Sequence, residues 1–269
     1  MRVGQKSVVV FVSRLLGSVL GFFATIYFAR VLGAEVLGLY ALVIAIVAWL
    51  RLGGKMGVGS ALTKRISEGE EQGQFYAAGI LSIAVIGTVL SIGVIALQNP
   101  LEAYVGDFDQ YVAISVVWFV VLLLYAKLVF ALVKMALKGE RLVHIAGLLS
   151  PVNIGSRSLI QIGLVIAGFN LAGMLIGYAA GAVLAGLVGL YYITVPVKRP
   201  RKRHFASLYE YAKYSWFGSV RSRSFNDVDI LVLGLFVPSA LSECTRWPGR
   251  SRNSSNSLGG RSAQHCSPK

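Results

Sequence analysis

Cysteine and acid are scarce in this chain. Of 269 residues only 2 are cysteines, Cys244 and Cys266, and both fall in the last stretch, after Ser242. Residues 1–241 contain none, which excludes disulfide and thiol chemistry from that whole stretch. Asp and Glu number 12 against 26 Lys and Arg, for a net charge of +14. Histidine occurs three times, at His144, His204 and His265, which do not cluster with Cys or carboxylates at metal-ligand spacing, and Ser, Asp and His form no nucleophile motif. No G-x-x-x-x-G-K-[ST] occurs, so there is no P-loop for ATP. No catalytic residue, metal site or cofactor is therefore expected, and the chain is not expected to be an enzyme.

What the chain has in abundance is apolar length. Hydrophobic residues make up 55% of it, and they gather into six runs: Val8 to Phe28, Val36 to Val58, Tyr76 to Leu97, Val112 to Val133, Leu142 to Ala167 and Leu171 to Val195. A helix needs about 20 apolar residues to cross a hydrocarbon core of about 30 Å, and each run is long enough. The expectation is an all-α, polytopic membrane protein. Run one lacks a small-residue cleavage site ahead of an exported domain and is followed by further spans, so it reads as a retained helix.

Orientation follows from Lys and Arg, which favour the cytoplasmic side. Arg2 and Lys6, then Lys64 and Arg65, then Lys134, Lys138 and Arg141, then Lys198 to Arg203 mark four inside segments. The connection from Gln98 to Gln110 carries Glu102, Asp107 and Asp109 without a cation, and Gly168 to Asn170 is uncharged, so both belong outside. Arg30 alone sits on the wrong side, where a helix-end arginine can snorkel. Six spans with the N-terminus inside the cytoplasmic membrane is the expected topology. The positive charge is spread over loops and tail, which points to anionic membrane lipid as its partner and not to nucleic acid.

The expected organisation is a six-helix transmembrane bundle over 1–197, a basic cytoplasmic linker over 198–206, the first one or two helices of a second bundle over 207–241, and an aberrant polar tail over 242–269. Permitted codons for that tail, read one frame over, encode an apolar stretch beginning G-V-Y directly after Leu241. A shifted reading frame accounts for the tail, with a disordered cytoplasmic segment as the alternative. Tyr209, Tyr211, Tyr214 and Trp216 suit an amphipathic entry at the membrane interface.

Internal repetition bears on the same point. Run one leaves through Ala29-Arg30-Val31-Leu32-Gly33 and reaches Gly38-Leu39-Tyr40, while Leu233 to Leu241 begins a comparable pattern that the shifted frame continues. Repeated halves around a central site are a common transporter plan. The stretch Phe28 to Gly33 with Gly38 to Tyr40, then Gly57 to Arg65 and Asp227 to Phe236, resembles the polysaccharide biosynthesis proteins. These are O-antigen and lipid-linked oligosaccharide flippases of the multidrug/oligosaccharidyl-lipid/polysaccharide exporter superfamily. The resemblance covers about residues 1 to 241. It implies two six-helix bundles in a V around a cavity, usually with 12 or more spans, so that this chain would be a C-terminally truncated form, holding one bundle and the beginning of the next. It further implies alternating access for a polyprenyl-phosphate-linked glycan, with glycosyltransferases and a polymerase as partners.

Cations inside the spans are the candidate site. Arg14 lies in run one with Ser18, Gly21 and Thr25 at helical spacing, Arg51 is late in run two, Lys127 interrupts run four, and Arg157 sits one turn before Gln161 in run five. No Asp or Glu falls in any of the six runs. Charges at bilayer depth face a cavity or a partner, and arginine presents a fork of donors matched to phosphate oxygens. Arg14, Arg51, Arg157 and Lys127 are therefore the expected substrate-binding residues, against the alternative that each snorkels to headgroups. In the resemblance, cavity arginines on the first two helices bind substrate, and Arg14 and Arg51 stand in those positions. Asp227 and Asp229 are expected to cap a helix or sit at an interface, with ion coupling as the alternative. Gly173, Gly177, Gly181, Ala185 and Gly189 give run six a small residue every fourth position, which suits close packing, or sliding, against a neighbouring helix.

Three other readings compete. A membrane glycosyltransferase could use Asp107 and Asp109 to hold a metal. A drug or cation antiporter of the same superfamily would share the architecture, although an excess of intramembrane cations opposes a cationic substrate. An inactive fragment is the third.

Overall fold

The computed structural model describes residues 3–215 apart from Met56 and Ala113. The side chains of residues 3–9, Arg14, Gly54, Lys55 and Asp107 lie outside the described residues, as do Trp216, Asp227, Asp229, both cysteines and the whole of 216–269.

All regular structure among the described residues is helical. Helix α1 runs over Val3–Lys55 and contains one non-helical residue, Gly33, at φ 85° and ψ 168°. A residue with a Cβ rarely takes that conformation, whereas glycine takes it freely. The two arms fold back on each other there: Thr25 and Tyr40 line one cavity, and Ala24, Phe28, Val36 and Val43 share one core. The first two expected spans are thus one continuous element broken at a single glycine.

A left-handed turn at Gly57, φ 76°, leads into α2, Val58–Ser67. Its buried residues Val58, Ala61, Leu62 and Ile66 recur at helical spacing on one face. Helix α3 covers Gln72–Ala96, α4 covers Gln98–Val105, and a tight turn of helix follows at Asp107–Gln110. Helix α5, Val116–Gly139, is capped by Ser115, whose Oγ accepts the Val117 N–H at 3.3 Å. Helices α6, Val143–Ile166, and α7, Asn170–Tyr191, complete the long elements, and α8 spans 202–215. By length and composition, α3, α5, α7 and the stretch Val10–Gly53 of α1 can cross a membrane. With α6, which is 24 residues long, the long segments coincide with the six apolar runs. The chain is an all-helical, polytopic membrane protein.

Contacts gather the connections at two opposite ends. At one, Thr63 Oγ1 donates to the Met135 carbonyl at 3.1 Å. There Glu140 also accepts from the Thr194 N–H, the Thr194 hydroxyl and the Val195 N–H at 2.8–3.3 Å. Glu71 joins α3 to α8 by pairing with Arg203 and accepting from His204 Nε2 at 2.9 Å. The His204 Nδ1 accepts the Arg201 N–H at 2.8 Å, which assigns the ring proton to Nε2. At the other end Ser115 Oγ donates to Glu102 Oε1 at 2.6 Å, and buried Phe108 packs on Phe119.

Four features differ from the sequence reading. Helices α2 and α4 stand where connections were expected, each too short and too polar to register as a span. Lys134, assigned to a loop, lies within α5 and donates to Ser150 Oγ at 2.6 Å. Helix α8 begins inside the stretch read as a linker, because His204, Leu208 and Ala212 form a buried stripe at i, i+4, i+8. Tyr209 and Tyr214 point outward from it, and Lys64 stands 4.5 Å over the Tyr211 ring.

Candidate functional site

The glycine stripe of α7 decides how close α6 can come. A Cβ built on Gly181 would lie 2.6 Å from Cβ of Arg157 and 2.7 Å from its Cα, and one on Gly177 would lie 2.6 Å from Cγ of Gln161. Gly173 faces Leu164 in the same way. Hydrogen was the only substituent these contacts could accept. The stripe packs closely on α6, and it seats Arg157 and Gln161 directly against α7.

A polar seam results. Lys127 of α5 is only 4% exposed, and its ammonium stands 3.9 Å from the centroid of the Tyr178 ring, while the Arg157 guanidinium stands 5.1 Å from the same ring. Lys127 Nζ also donates to Asn153 Oδ1 at 3.4 Å. Tyr178 meets Tyr40 edge-on at 6.3 Å. Gln161 Nε2 donates to the Tyr40 hydroxyl at 3.1 Å and to the Met174 carbonyl at 2.6 Å. Arg51, half-buried near the end of α1, and Arg157 both lie near enough for their charges to act on Lys127.

Of the four expected residues, the fold brings Lys127 and Arg157 together on Tyr178 and leaves Arg51 half-buried near the end of α1, whereas the Arg14 side chain lies outside the described residues. Lys127 does not snorkel: it is sunk among α5, α6 and α7. A desolvated cation–π contact contributes about 2 kcal/mol, less than the several kcal/mol that burying an unpaired ammonium costs. Arg157 keeps its charge at any working pH, and the apolar runs around it contain no acid to neutralise it. Sequence reasoning missed Tyr178, Asn153 and Tyr40. Tyr178 had one available signal, an aromatic standing beside Gly177 in a stripe of small residues.

Beside the seam lies a cavity of about 50 Å³, lined by Gly21, Ala24, Thr25, Phe28, Leu37, Tyr40, Arg157, Ser158, Gln161 and Met174. A second, wider and largely apolar groove of about 980 Å³ lies between α3 and α8, with Leu81, Val85, Phe205, Leu208 and Lys213 among its walls. In the Asp107–Gln110 turn Phe108 is buried and Asp109 exposed. Among the described residues no three His, Cys, Asp or Glu side chains gather at a distance suited to a metal.

Residues 3–240 match the family model described as polysaccharide biosynthesis protein. The chain belongs to that family. Among curated proteins it is similar to a probable low-salt glycan biosynthesis flippase, Agl15, of Haloferax volcanii. Identity is 27% over 242 residues, covering 88% of this chain and 49% of the relative. A probable flippase of the same organism, AglR, is 25% identical over 243 residues, covering 89% and 49%. The chain thus spans about half the length of the curated relatives it matches. The lipid II flippase MurJ in its inward closed conformation has the same fold over 87% of this chain and 52% of its own, with a TM-score of 0.61 at 19% identity. That likeness places this polysaccharide biosynthesis protein in a polytopic helical architecture.

Proposed function

We propose that this chain supplies the first bundle of a flippase that carries polyprenyl-(pyro)phosphate-linked oligosaccharide across the cytoplasmic membrane by alternating access. Its N-terminus and the end bearing α2 and α8 face the cytoplasm. The observation that carries the reading is the meeting of Lys127 and Arg157 on the Tyr178 ring, two basic side chains among helices of membrane length whose apolar runs contain no acid. An anionic headgroup is the counterpart such a seam lacks. The family and its similarity to probable flippases support the transport class. The segregation of basic and acidic connections to opposite ends supports the orientation.

In this scheme the phosphate is held by charge-assisted bonds while the polyprenyl tail stays in lipid. Rocking of the bundle relative to its counterpart exposes the seam first to one side and then to the other. The test is binding of a fluorescent polyprenyl diphosphate glycan to the purified chain in nanodiscs. Arg51→Gln, Lys127→Gln and Arg157→Gln are each expected to weaken binding about tenfold, the equivalent of about 1.4 kcal/mol per charge-assisted contact. Unchanged affinity in the triple variant would show that the seam holds no phosphate.

A further inference from the structure

The groove of about 980 Å³ between α3 and α8 has no part in the transport scheme. Leu81, Val85 and Ile86 form its α3 wall, while on α8 Phe205, Leu208, Tyr209, Ala212 and Lys213 follow the i, i+3, i+4, i+7, i+8 spacing of one helix face. Leu81 and Ile86 lie inside the third apolar run, roughly 8 and 15 Å past its start at Tyr76 for a rise of about 1.5 Å per residue. The groove therefore reaches from near the membrane surface to about half the depth of a hydrocarbon core ~30 Å thick. That is the depth of one leaflet. Water is poorly held against such apolar walls, since a buried water needs about two to four polar partners.

Lys213 gives the groove one charged edge. Its neighbour Ala212 abuts Gly57, the turn at which the second apolar run ends, so Lys213 lies at the level of the headgroups. Its side chain is exposed, stands 4.9 Å from the Tyr214 ring and enters no ion pair among the described residues. Among the same residues no Asp or Glu lines the groove. An amphiphile with an anionic head and apolar tails matches both parts. At ~30 Å³ for a group the size of a water, such as a methylene, 980 Å³ seats about thirty of them, the content of two acyl chains. We propose that this groove is a binding site for one diacyl phospholipid with an anionic headgroup, drawn from the leaflet on the basic side, its phosphate on Lys213 and its chains between α3 and α8. The proposal goes beyond the flippase reading and stands without it, since neither Lys127 nor Arg157 takes part.

The experiment is native mass spectrometry of the purified full chain in detergent, titrated with phosphatidylglycerol or with phosphatidylcholine of the same chain length. One phosphatidylglycerol is expected to bind roughly fivefold more tightly than phosphatidylcholine, the effect of one ammonium on an anionic headgroup. Lys213→Gln, at an exposed position, should bring the two lipids to equal affinity. Val85→Trp fills the groove and should weaken both. A phosphatidylglycerol carrying a photoreactive diazirine on its acyl chain locates the lipid without any variant, with crosslinks expected on α3 at 81–86 and on α8 at 205–212. Equal affinity of the two lipids for the unmodified chain, a preference that survives in Lys213→Gln, or crosslinks spread evenly over the exposed faces of the other helices would overturn the proposal. So would displacement of phosphatidylglycerol by a single-chain polyprenyl phosphate, or its release as two copies of the chain associate, since either would assign the groove to another occupant. Lys213→Gln should leave the binding of polyprenyl diphosphate glycan unchanged, so each reading can fail without the other.

Discussion

Replacing Gly181 by alanine puts a methyl group where the backbone of Arg157 already stands. The added Cβ would lie 2.6–2.8 Å from Cβ, Cα and N of Arg157, against ordinary contacts of 3.4–4 Å. Two of those three atoms are main chain, so no rotamer change relieves the clash and α6 must withdraw from α7 by roughly 0.8 Å or more. Overpacking of this kind costs about 1–3 kcal/mol. Alanine also gains about 1 kcal/mol over glycine in helix propensity, which would mask part of the loss. Gly186 on the same helix supplies the control, because a Cβ there meets nothing within 4 Å. Gly186→Ala collects the propensity gain alone, so the difference between the two variants isolates the overpacking cost of about 1–3 kcal/mol. Denaturant or thermal unfolding in a single detergent measures both. Equal midpoints for the two variants would refute the argument that α6 and α7 touch through their backbones.

Other outcomes follow from the basic end. Gly57→Ala forces a Cβ onto a residue at φ 76° and into the Ala212 carbonyl, a loss of at least about 2 kcal/mol; wild-type stability with α8 still protected from protease would contradict that packing. The hydrogen bond from His204, followed by the charges of Arg203 and Arg201, holds the Glu71 carboxyl below its ordinary value of 4.5. A lowered acid stabilises the fold above that ordinary value and loses its contribution as pH falls through the lowered one. Hydrogen exchange in 202–215 should therefore accelerate on acidification below about pH 4.5, and Glu71→Gln should remove that dependence. Glu140→Ala leaves the Thr194 and Val195 N–H groups without their shared acceptor. Exchange at those two amides should rise by at least about tenfold, the effect of roughly 1.5 kcal/mol for a bond to a charged group; unchanged exchange would mean that the carboxylate does not hold that segment.

The spans were legible because bilayer thickness imposes one length on every one of them, and six runs of that length cannot be hidden by composition. The break at Gly33 was readable as an exit from run one, although not that it would be a single residue. Helices α2 and α4 were not legible, since a short amphipathic helix shows its pattern only once the surface it packs on is known. Two of the four cations, Lys127 and Arg157, could be nominated from their position in apolar runs and then found together. Their common partner could not, because Lys127 and Arg157 meet on Tyr178 through folding and no local pattern links those positions.

Glycine contacts along α6 and α7 also have a mechanical meaning. Backbones in direct touch at Gly173, Gly177 and Gly181 cannot slide without lifting apart, so these two helices act as one plate. Arg157, Gln161 and Tyr178 are mounted on that plate at fixed mutual distances. Lys127 sits on α5 and Tyr40 on α1, and each reaches the plate through its side chain. A tilt of the plate therefore leaves its own three groups in register while it opens or closes the 3.9 Å gap between Lys127 and Tyr178. That gap is the gauge to watch: a probe pair placed across it reports relative motion within this bundle, and a pair placed between Arg157 and Tyr178 reads as a stationary reference.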